Sequence, residues 1–493
     1  MRRRKTDMAV ITLNPGRSRG TINKNIYGHF SEHLGRCVYQ GIFVGPDSRI
    51  PNVRGIRTDV VEALRKIHMP LLRWPGGCFA DEYHWRDGIG PQESRKRMVN
   101  TNWGGVVEDN SFGTHEFLDF CEQVGCEPYF NANVGSGTVQ ELAEWVEYVN
   151  SDGDSTVVSQ RRANGRQDSW GVKYWGIGNE SWGCGGNMRP EYYADVYRRY
   201  QTFCRTYGER RPYKIACGAS DFNYGWTETL MKQAAPFMDG ISLHYYTVCG
   251  DTWEHKGSAT DFTPEEYYKT LGKAARMDEL LRGHEAVMDR YDPQKRIGLI
   301  VDEWGTWFDV EPGTNPGFLY QQNTMRDALV AAVTLNIFNR HCDRVVMANI
   351  AQMVNVLQAI LLTEGDQLVL TPTYHVFDLF QAHQGAREID CFQQADRVGT
   401  EEWSMEQISS SASEKNGVTT VTLANLSVDR AAEVRIQGLS AEKAEARVLS
   451  GEMHEKNDFG KANLAPRSLP VQRTAEGWLL TLPACSVAEL TLA

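Results

Sequence analysis

The sequence predicts an α/β protein built as a (β/α)8 TIM barrel followed by a C-terminal antiparallel β-sandwich. Short apolar segments alternate with longer amphipathic segments through most of the chain, the pattern of strand–helix units. After about residue 375 the pattern changes to short stretches of alternating apolar and polar residues. No Gly-rich phosphate loop follows the first strand, which argues against an open doubly wound sheet.

Eight apolar segments are predicted to form the barrel strands: 25–31, 70–76, 127–133, 173–179, 214–219, 238–245, 296–303 and 344–351. Amphipathic segments between them predict helices over 58–68, 114–122, 139–149, 190–207, 265–290 and 323–339. Eight such units are typical of a closed parallel barrel. Active sites of this fold lie at the C-terminal ends of the strands, so functional residues are expected there.

The C-terminal part is predicted to begin after a helix at 372–383. Its strands are expected at 417–424, 432–436, 446–449, 477–482 and 486–492. The apolar run 8–13 precedes the barrel and is expected to cover an edge of the sandwich. The predicted organisation is therefore 1–20 as a strand joining the sandwich, 21–375 as the catalytic barrel and 376–493 as the sandwich.

Composition and charge exclude several classes of function. The chain has 493 residues, of which 41% are hydrophobic and 23% charged, as in a packed globular protein. A net charge of −11 and a pI near 5.6 argue against a nucleic-acid partner, because phosphate binding needs a basic surface. No apolar stretch approaches the length of a membrane span, so no membrane partner is expected.

Eleven cysteines are scattered singly along the chain, which predicts free thiols in a reducing compartment. Cys121 and Cys126 lack a second pair at zinc-binding spacing, and no metal site is predicted. The basic start, residues 1–5, is followed by an apolar run too short for the core of a signal peptide. These features predict a cytoplasmic protein.

The most informative residues are two glutamates, Glu180 and Glu303, each of which closes a predicted strand. A pair of carboxylates on one scaffold is what cleavage of a glycosidic bond requires, with one protonated and the other ionised. Trp182, Trp304 and Trp307 lie beside them in the sequence, and sugars stack on such rings. The alternative is that both are solvent-facing acids at strand ends.

Other polar residues also fall at the predicted strand ends: Glu32, Arg73, Asn131, Asn133, Asn179, Ser220, Asp221, His244, Tyr246 and Gln352. Arg73 beside Glu303 would keep that carboxylate ionised. His244 and Tyr246 are two residues apart and share one face of their strand, so the tyrosine hydroxyl could bond the nucleophile. Taken alone, His244 is a buried histidine with a positioning role at most.

Five motifs carry a resemblance to a known family: IYGHFSEHLG (26–35), LRWPGG (72–77), GIGNE (176–180), VDEW (301–304) and ANIAQMVN (348–355). In this order they resemble the α-L-arabinofuranosidases of glycoside hydrolase family 51, within the clan A retaining glycosidases. The motifs run from the first barrel strand to the last, and the sandwich fits too. The resemblance therefore covers essentially the whole chain.

The resemblance implies that Glu180, after strand 4, is the acid/base and Glu303, on strand 7, is the nucleophile. It implies a contact between Asn179 and the sugar 2-hydroxyl, while Cys78 stands where many relatives carry Asn. Cys184, in the loop after the acid/base, is interpreted like Cys78 as packing or substrate contact. The predicted substrate-binding residues are Glu32, Arg73, Cys78, Asn179, Trp182, His244, Tyr246, Trp307 and Gln352.

The predicted function is a retaining exo-α-L-arabinofuranosidase that releases terminal non-reducing arabinofuranosyl units without a cofactor. The resemblance also implies a homo-oligomer, a hexamer. Two alternatives stay open: an endo-β-glucanase or xylosidase on the same barrel, and a non-catalytic carbohydrate-binding protein. Segments 78–112, 247–263 and 305–320 could enclose a small pocket or line an open cleft. The preferred aglycone, whether arabinan, arabinoxylan or a simple glycoside, is not fixed by the sequence.

Overall fold

A computed structural model describes residues 8–493, so the basic N-terminal run at residues 1–5 lies outside the described part. The prediction of a TIM barrel with a C-terminal antiparallel β-domain is confirmed. Eight parallel strands close into a barrel, each hydrogen-bonded to its neighbours in sequence order. Barrel strands 1 to 8 are Gly28–Phe30, Leu71–Trp74, Glu127–Ala132, Tyr174–Ile177, Tyr213–Ser220, Gly240–Thr247, Gly298–Thr306 and Val345–Ile350.

Within residues 8–493, ten α-helices accompany the strands. In chain order, α1 to α10 are Thr58–Lys66, Thr114–Val124, Val139–Asn150, Thr156–Ala163, Pro190–Phe203, Tyr224–Ala234, Pro264–Ala275, Met277–Tyr291, Met325–Arg340 and Pro372–Phe380. The predicted long helix at 265–290 is two helices, α7 and α8, separated at Arg276. Helices α4 and α6 were not predicted. Helix α9 begins with a capping box in which Thr324 and Asp327 bond each other's backbone N–H groups.

The C-terminal part is one ten-stranded sheet. Its order is Arg467–Leu469, Ala444–Ser450, Ser486–Leu492, Val418–Asn425, Ile408–Lys415, Arg387–Gln394, Ala9–Asn14, Ala432–Gln437, Gly477–Leu482 and Val471–Thr474. Side chains from both halves, such as Ile11, Val434 and Leu490, share one hydrophobic cluster, so the sheet folds over as a sandwich. The N-terminal strand fills a central position, antiparallel to Arg387–Gln394 and parallel to Ala432–Gln437.

The sandwich packs on the barrel through α9, in part by polar contacts. Asn336 accepts hydrogen bonds from Ser411 Oγ at 2.7 Å and Thr422 Oγ1 at 2.8 Å, and Asn339 donates to Ser411 at 3.0 Å. The strand Ile408–Lys415 was not predicted, because its buried positions hold serines that face this helix. Within residues 8–493 no helix is long and apolar enough to cross a membrane.

Candidate active site

Glu180 and Glu303 meet at the C-terminal end of the barrel. Glu303 lies within strand 7, and Glu180 follows strand 4 in a turn that gives it a left-handed φ of 38°. One carboxylate oxygen of each and a ring nitrogen of His244 lie within 4.8 Å of one another. This spacing is close to the roughly 5–5.5 Å of retaining glycosidases, and shorter than the roughly 6.5–9.5 Å that an inverting enzyme needs.

Two hydrogen bonds fix the buried carboxylate of Glu303. Its Oε1 accepts from Arg73 Nη1 at 2.8 Å, and its Oε2 accepts from the Tyr246 hydroxyl at 2.8 Å. Burial opposes the charge of Arg73, but Asp302 and Glu303 together raise the pKa of its guanidinium. Arg73 thus supplies a permanent positive charge beside Glu303 and holds its carboxylate in one orientation.

His244 connects Glu180 to a third carboxylate, Asp302. Its Nδ1 lies 2.9 Å from Glu180 Oε1, and its Nε2 lies 3.0 Å from Asp302 Oδ1. Burial alone would lower the pKa of His244, but Glu303, Asp302 and Glu180 raise it to about 10. The ring is therefore an imidazolium at neutral pH, which donates from Nδ1 to Glu180 and forms an ion pair with Asp302 through Nε2.

The two glutamates have different electrostatic surroundings. Burial and the charge of Glu303 raise the pKa of Glu180, although the bond from His244 opposes the shift. Glu303 has Arg73 and Tyr246 as direct donors, whereas Oε2 of Glu180 faces two cysteine sulfurs. This asymmetry suits a protonated Glu180 next to an ionised Glu303.

Asp302 was missed by the sequence analysis because neighbouring residues of a regular strand point to opposite faces. The pairing of strands 7 and 8 shifts register between Val301 and Trp304, and this irregularity turns both Asp302 and Glu303 into the barrel. Asp302 Oδ2 accepts from the Tyr129 hydroxyl at 2.8 Å and lies 3.6 Å from Arg73 Nε. Burial opposes ionisation, but Arg73 and His244 lower the pKa of Asp302.

Glu32 forms the opposite wall of the site with Gln352 and Trp103. Its Oε1 accepts from Trp103 Nε1 at 2.9 Å and from the Gly77 backbone N–H at 3.0 Å. Its Oε2 accepts from Gln352 Nε2 at 2.7 Å. Burial and the charge of Glu303 raise the pKa of Glu32 to about 7. Trp103 was not predicted, since an indole in a long loop carries no strand-end signal.

Asn179 is held on two sides. Its Oδ1 accepts from Arg73 Nη2 at 2.6 Å, which leaves its amide NH₂ toward the site. Its backbone N–H donates to Asp81 Oδ2 at 3.2 Å. Asp81, also missed, is buried and accepts from the N–H groups of Val134 and Gly135 as well. Its carboxylate therefore fixes the turn that presents Asn179 and Glu180.

These residues enclose a cavity of about 40 Å³. Its lining includes eight of the predicted or neighbouring site residues: Glu32, Cys78, Trp103, Glu180, Tyr246, Glu303, Trp307 and Gln352. A Cβ on Gly77 would come within 2.8 Å of Glu303 Oε1, so only glycine leaves this space open. The cavity is therefore much smaller than the roughly 300–1,000 Å³ of pockets that hold drug-sized ligands.

The tryptophans near the glutamates are arranged differently from the prediction. Trp307 lines the cavity and packs edge-on against Tyr246, with ring centroids 4.9 Å apart. Trp182 does not line the cavity and donates its indole N–H to the Gly218 carbonyl at 3.3 Å. Trp304 points outward and packs against Phe338 of α9, so the expectation that it faces a sugar is wrong.

The prediction that every cysteine is a free thiol is wrong for Cys78 and Cys184. Their sulfur atoms form a disulfide between the loops after strands 2 and 4. The sequence separation of 106 residues hides the pair, which only the closure of the barrel brings together. The other nine cysteines are free thiols in the described structure. Cys78 therefore lines the cavity with a disulfide sulfur.

Comparisons with known proteins agree with this geometry. Residues 63–256, which include Glu180, match the family described as alpha-L-arabinofuranosidase 1 domain. Residues 302–486, which include Glu303, match the alpha-L-arabinofuranosidase C-terminal domain.

Individual relatives cover nearly the whole chain. A Bacteroides ovatus protein named intracellular exo-alpha-L-arabinofuranosidase is 51% identical and covers 98% of this chain and 95% of its own. The crystal structure of a GH51 arabinofuranosidase from Xanthomonas axonopodis pv. citri is 46% identical, with a TM-score of 0.97 over 99% of this chain and 100% of its own. An α-L-arabinofuranosidase from Thermotoga maritima, solved as an arabinose complex, is 29% identical, with a TM-score of 0.85 over 98% of this chain and 99% of its own.

Proposed function

This chain belongs to the α-L-arabinofuranosidases of glycoside hydrolase family 51, and we propose that it is a retaining, exo-acting enzyme that releases terminal non-reducing α-L-arabinofuranosyl units. The observation that carries the proposal is the pair of Glu180 and Glu303, with oxygens within 4.8 Å of each other in one small cavity. The proposed substrates are arabinofuranose-containing oligosaccharides and polysaccharides.

In the first step, a carboxylate oxygen of Glu303 attacks C1 of the arabinofuranose, and the bond from C1 to the leaving oxygen breaks. Glu180 gives its proton to that oxygen. Since Oε1 of Glu180 accepts from His244, the proton is assigned to Oε2. The products are a covalent arabinosyl-enzyme and the released aglycone.

In the second step, ionised Glu180 takes a proton from water, and the water oxygen attacks C1. The bond between C1 and Glu303 breaks, so the sugar leaves with its original configuration. The His244 imidazolium bonds Glu180 in both steps and stabilises its carboxylate once the proton has left. Arg73 and Tyr246 do the same for Glu303.

The size of the cavity favours exo action on one sugar ring. Loops after strands 2 and 7 close it with Trp103 and Trp307, whereas an endo-acting enzyme needs a cleft open at both ends. Asn179 presents its amide NH₂ toward the position of the 2-hydroxyl, because Arg73 binds its oxygen. Glu32 and Gln352 supply polar groups on the opposite wall. We assign sugar recognition to these side chains.

Variants at the two glutamates test the roles. Glu303→Ala should abolish turnover of all substrates. Glu180→Ala should lose activity on poor leaving groups but keep the first step on activated aryl arabinofuranosides, whose oxygen needs no proton. Equal losses on good and poor leaving groups would refute the assignment of Glu180.

Product and substrate analysis test the reaction class. NMR of the initial product should show retention, and inversion would contradict the two-step route. Rates on α-L-arabinofuranosides should exceed those on β-D-xylopyranosides. Equal rates, or internal cleavage of a glucan, would favour the endo-acting alternative.

Location and assembly are part of the proposal. We propose that the enzyme works in the cytoplasm, in line with the name of the Bacteroides ovatus relative. We also propose a hexamer, for which light scattering should give six times the 55.7 kDa of one chain. A monomer by light scattering would contradict the hexamer, and activity in the periplasmic or secreted fraction would contradict the location.

A further inference from the structure

Two sulfur atoms lie at the mouth of the cavity against the proposed acid. The sulfur of Cys78 is 3.9 Å from Glu180 Oε2, and that of Cys184 is 3.6 Å from the same oxygen. Cys184 is exposed to solvent, and Cys78 is partly buried. A donor atom from each of the three residues lies within 4.8 Å of the other two.

The donor set is chemically specific once the disulfide is opened. Two thiolates and one carboxylate on three fixed positions are ligands for a soft or borderline divalent cation such as Zn²⁺. The exposed side of Cys184 leaves room for water as a fourth ligand. Hard cations such as Mg²⁺ and Ca²⁺ prefer six or more oxygen ligands and do not fit this set.

We propose that Cys78, Cys184 and Glu180 form a redox-gated inhibitory site, which binds one zinc-like cation when the cysteines are reduced and none when they are joined. A phosphine reductant supplies the two electrons that open the disulfide and is oxidised to the phosphine oxide with the oxygen of one water molecule, whose two protons complete the two thiols. The cation then displaces both thiol protons to solvent and binds the two thiolates and Glu180 Oε2.

The proposed cation would stop catalysis because it occupies the oxygen that carries the catalytic proton. This part of the inference rests on the proposed function, whereas the binding of the cation does not. In the oxidised protein both sulfurs are bonded to each other in the disulfide and cannot bind the cation, so the cation should not inhibit the enzyme. The disulfide and the metal are thus alternative occupants beside the same carboxylate.

Binding is tested with Cd²⁺, whose thiolate complexes absorb in the ultraviolet. The full chain is reduced with a phosphine, desalted without air and titrated with Cd²⁺. We expect one equivalent of thiolate-bound Cd²⁺ per chain, displaced by excess Zn²⁺. We expect none in the oxidised protein or in the Cys78→Ser, Cys184→Ser double variant, whose fold is checked by its thermal melt. The same absorbance in the reduced wild type and the double variant would overturn the proposal.

Cys126→Ser is the matched control, because Cys126 is partly exposed and lies in the other close cysteine pair, with Cys121. This variant should keep the full Cd²⁺ signal. Loss of the signal in this variant would mean that the metal binds at Cys121 and Cys126, which would contradict the proposal. Glu180→Gln should weaken Cd²⁺ binding at least tenfold in competition with a chelator. Unchanged affinity would remove Glu180 from the site.

Inhibition is measured separately on an aryl arabinofuranoside. One equivalent of Zn²⁺ should reduce the rate of the reduced enzyme at least tenfold, and a chelator should restore it. For the oxidised enzyme and for the single variant Cys184→Ser, the rate with Zn²⁺ should equal the rate of the same protein without Zn²⁺. Binding without inhibition would refute the inhibitory role. If the protein cleaved no arabinofuranoside, the proposed function would fail, while the Cd²⁺ titration would still decide the site.

Discussion

The hydroxyl of Tyr246 is a neutral donor to the proposed nucleophile, at 2.8 Å from Glu303 Oε2. Tyr246→Phe removes that bond and keeps the ring against Trp307. A hydrogen bond to a charged group contributes about 1.5–3 kcal/mol, so kcat/KM should fall about 10- to 150-fold. Steady-state kinetics on an aryl arabinofuranoside measure the loss.

Tyr245→Phe is the control, since Tyr245 is the next residue and its hydroxyl donates to the Lys273 carbonyl outside the barrel at 2.6 Å. Its kcat/KM should stay within a factor of two or so of the wild type, as expected for a change away from the site. Equal losses in the two variants would show a general effect of strand 6, not a contact to Glu303.

Gln352 connects the far wall of the cavity to Glu32. Gln352→Ala leaves Glu32 Oε2 buried without its 2.7 Å donor. A buried polar group without its partner costs about 1–3 kcal/mol, which predicts a loss of about 5- to 150-fold in kcat/KM. Gln367→Ala, at an exposed amide on the hairpin strand Gln367–Leu370, should change nothing. If the two variants had the same kcat/KM, Gln352 would have no part in recognition.

At the residue scale, the sequence could predict side chains whose position follows from a strand end. Glu32, Arg73, Tyr246 and Gln352 all reach the same site, and the pairs Arg73–Glu303 and Tyr246–Glu303 form as expected. Asp302 could not be predicted, because side chains of a regular strand alternate between its two faces, and this alternation would place Asp302 outside the barrel. The Cys78–Cys184 pair depends on two loops meeting, for which neither composition nor spacing gives a signal.

At the element scale, His341 joins α8 to the end of α9. Its Nδ1 lies 2.8 Å from Glu285 and its Nε2 lies 3.0 Å from Asp278, both on α8. Burial opposes the charge of His341, but the hydrogen bonds that it donates to Asp278 and Glu285 raise its pKa. The bond from His341 is also the main cause that lowers the pKa of Asp278.

The sign of the pH effect follows from these shifts. Because the pKa of His341 is raised in the folded state, its stabilisation is full below its ordinary value of 6.5 and is lost as the pH rises through the folded value. The contribution of Asp278 is present above its ordinary value of 3.8 and is lost as the pH falls. Both contributions to the stability of the fold are therefore fully present between about pH 4 and 6.5.

His341→Gln should thus lower the melting temperature more at pH 6 than at pH 9. A net loss of about 1–3 kcal/mol corresponds to a fall in melting temperature of about 1–3 °C at the lower pH for a chain of this length. Differential scanning fluorimetry at both values measures it, with His255→Gln at an exposed loop position as control. A loss that is the same at both pH values would show that His341 acts by packing and not by charge.

The existence of the elements could be predicted better than their ends. All eight barrel strands were found, because buried parallel strands read as continuous apolar runs. Strand 1 is shorter than expected, since Lys24–Tyr27 is a 3-10 helix started by an Asn23 side-chain bond. The boundary between α7 and α8 was missed because the residue at that point, Arg276, is neither glycine nor proline, the residues that most often interrupt a helix.

At the scale of the whole molecule, the hydrophobic core of the barrel extends into the sandwich, which also has a core of its own. Residues in the sheet strands or next to them belong to the same hydrophobic cluster as the barrel helices: Ala424, Leu426, Leu449, Cys485 and Val487. Helix α9 is buried from Met325 to Asn339, although one of its faces belongs to the barrel and the other to the sheet. A helix that is buried on all sides needs both partners.

The polar contacts of α9 add specificity to this interface. Asn336→Ala would remove the buried hydrogen bonds that Asn336 makes with Ser409, Ser411 and Thr422. We expect the variant to fold and to keep its kcat/KM, but to lose about 1–3 kcal/mol of unfolding free energy. This loss should appear as a lower melting temperature. A fall in kcat/KM without a fall in melting temperature would contradict a purely structural role.

Because the barrel core extends into the sandwich, we predict that the barrel cannot fold alone, although the sequence marks a change of pattern near residue 375. A chain shortened to residues 15–384 keeps α10 and every barrel strand but exposes the apolar faces of α9 and α10. Such a large exposed apolar patch promotes aggregation, and a domain that folds independently needs its own closed core. The shortened chain should aggregate or lack a cooperative thermal transition, whereas the full chain with Asn336→Ala should melt cooperatively under the same conditions. If residues 15–384 were monomeric by light scattering, with cooperative melting and the kcat/KM of the full enzyme, the sandwich would be an appendage and not part of the catalytic fold.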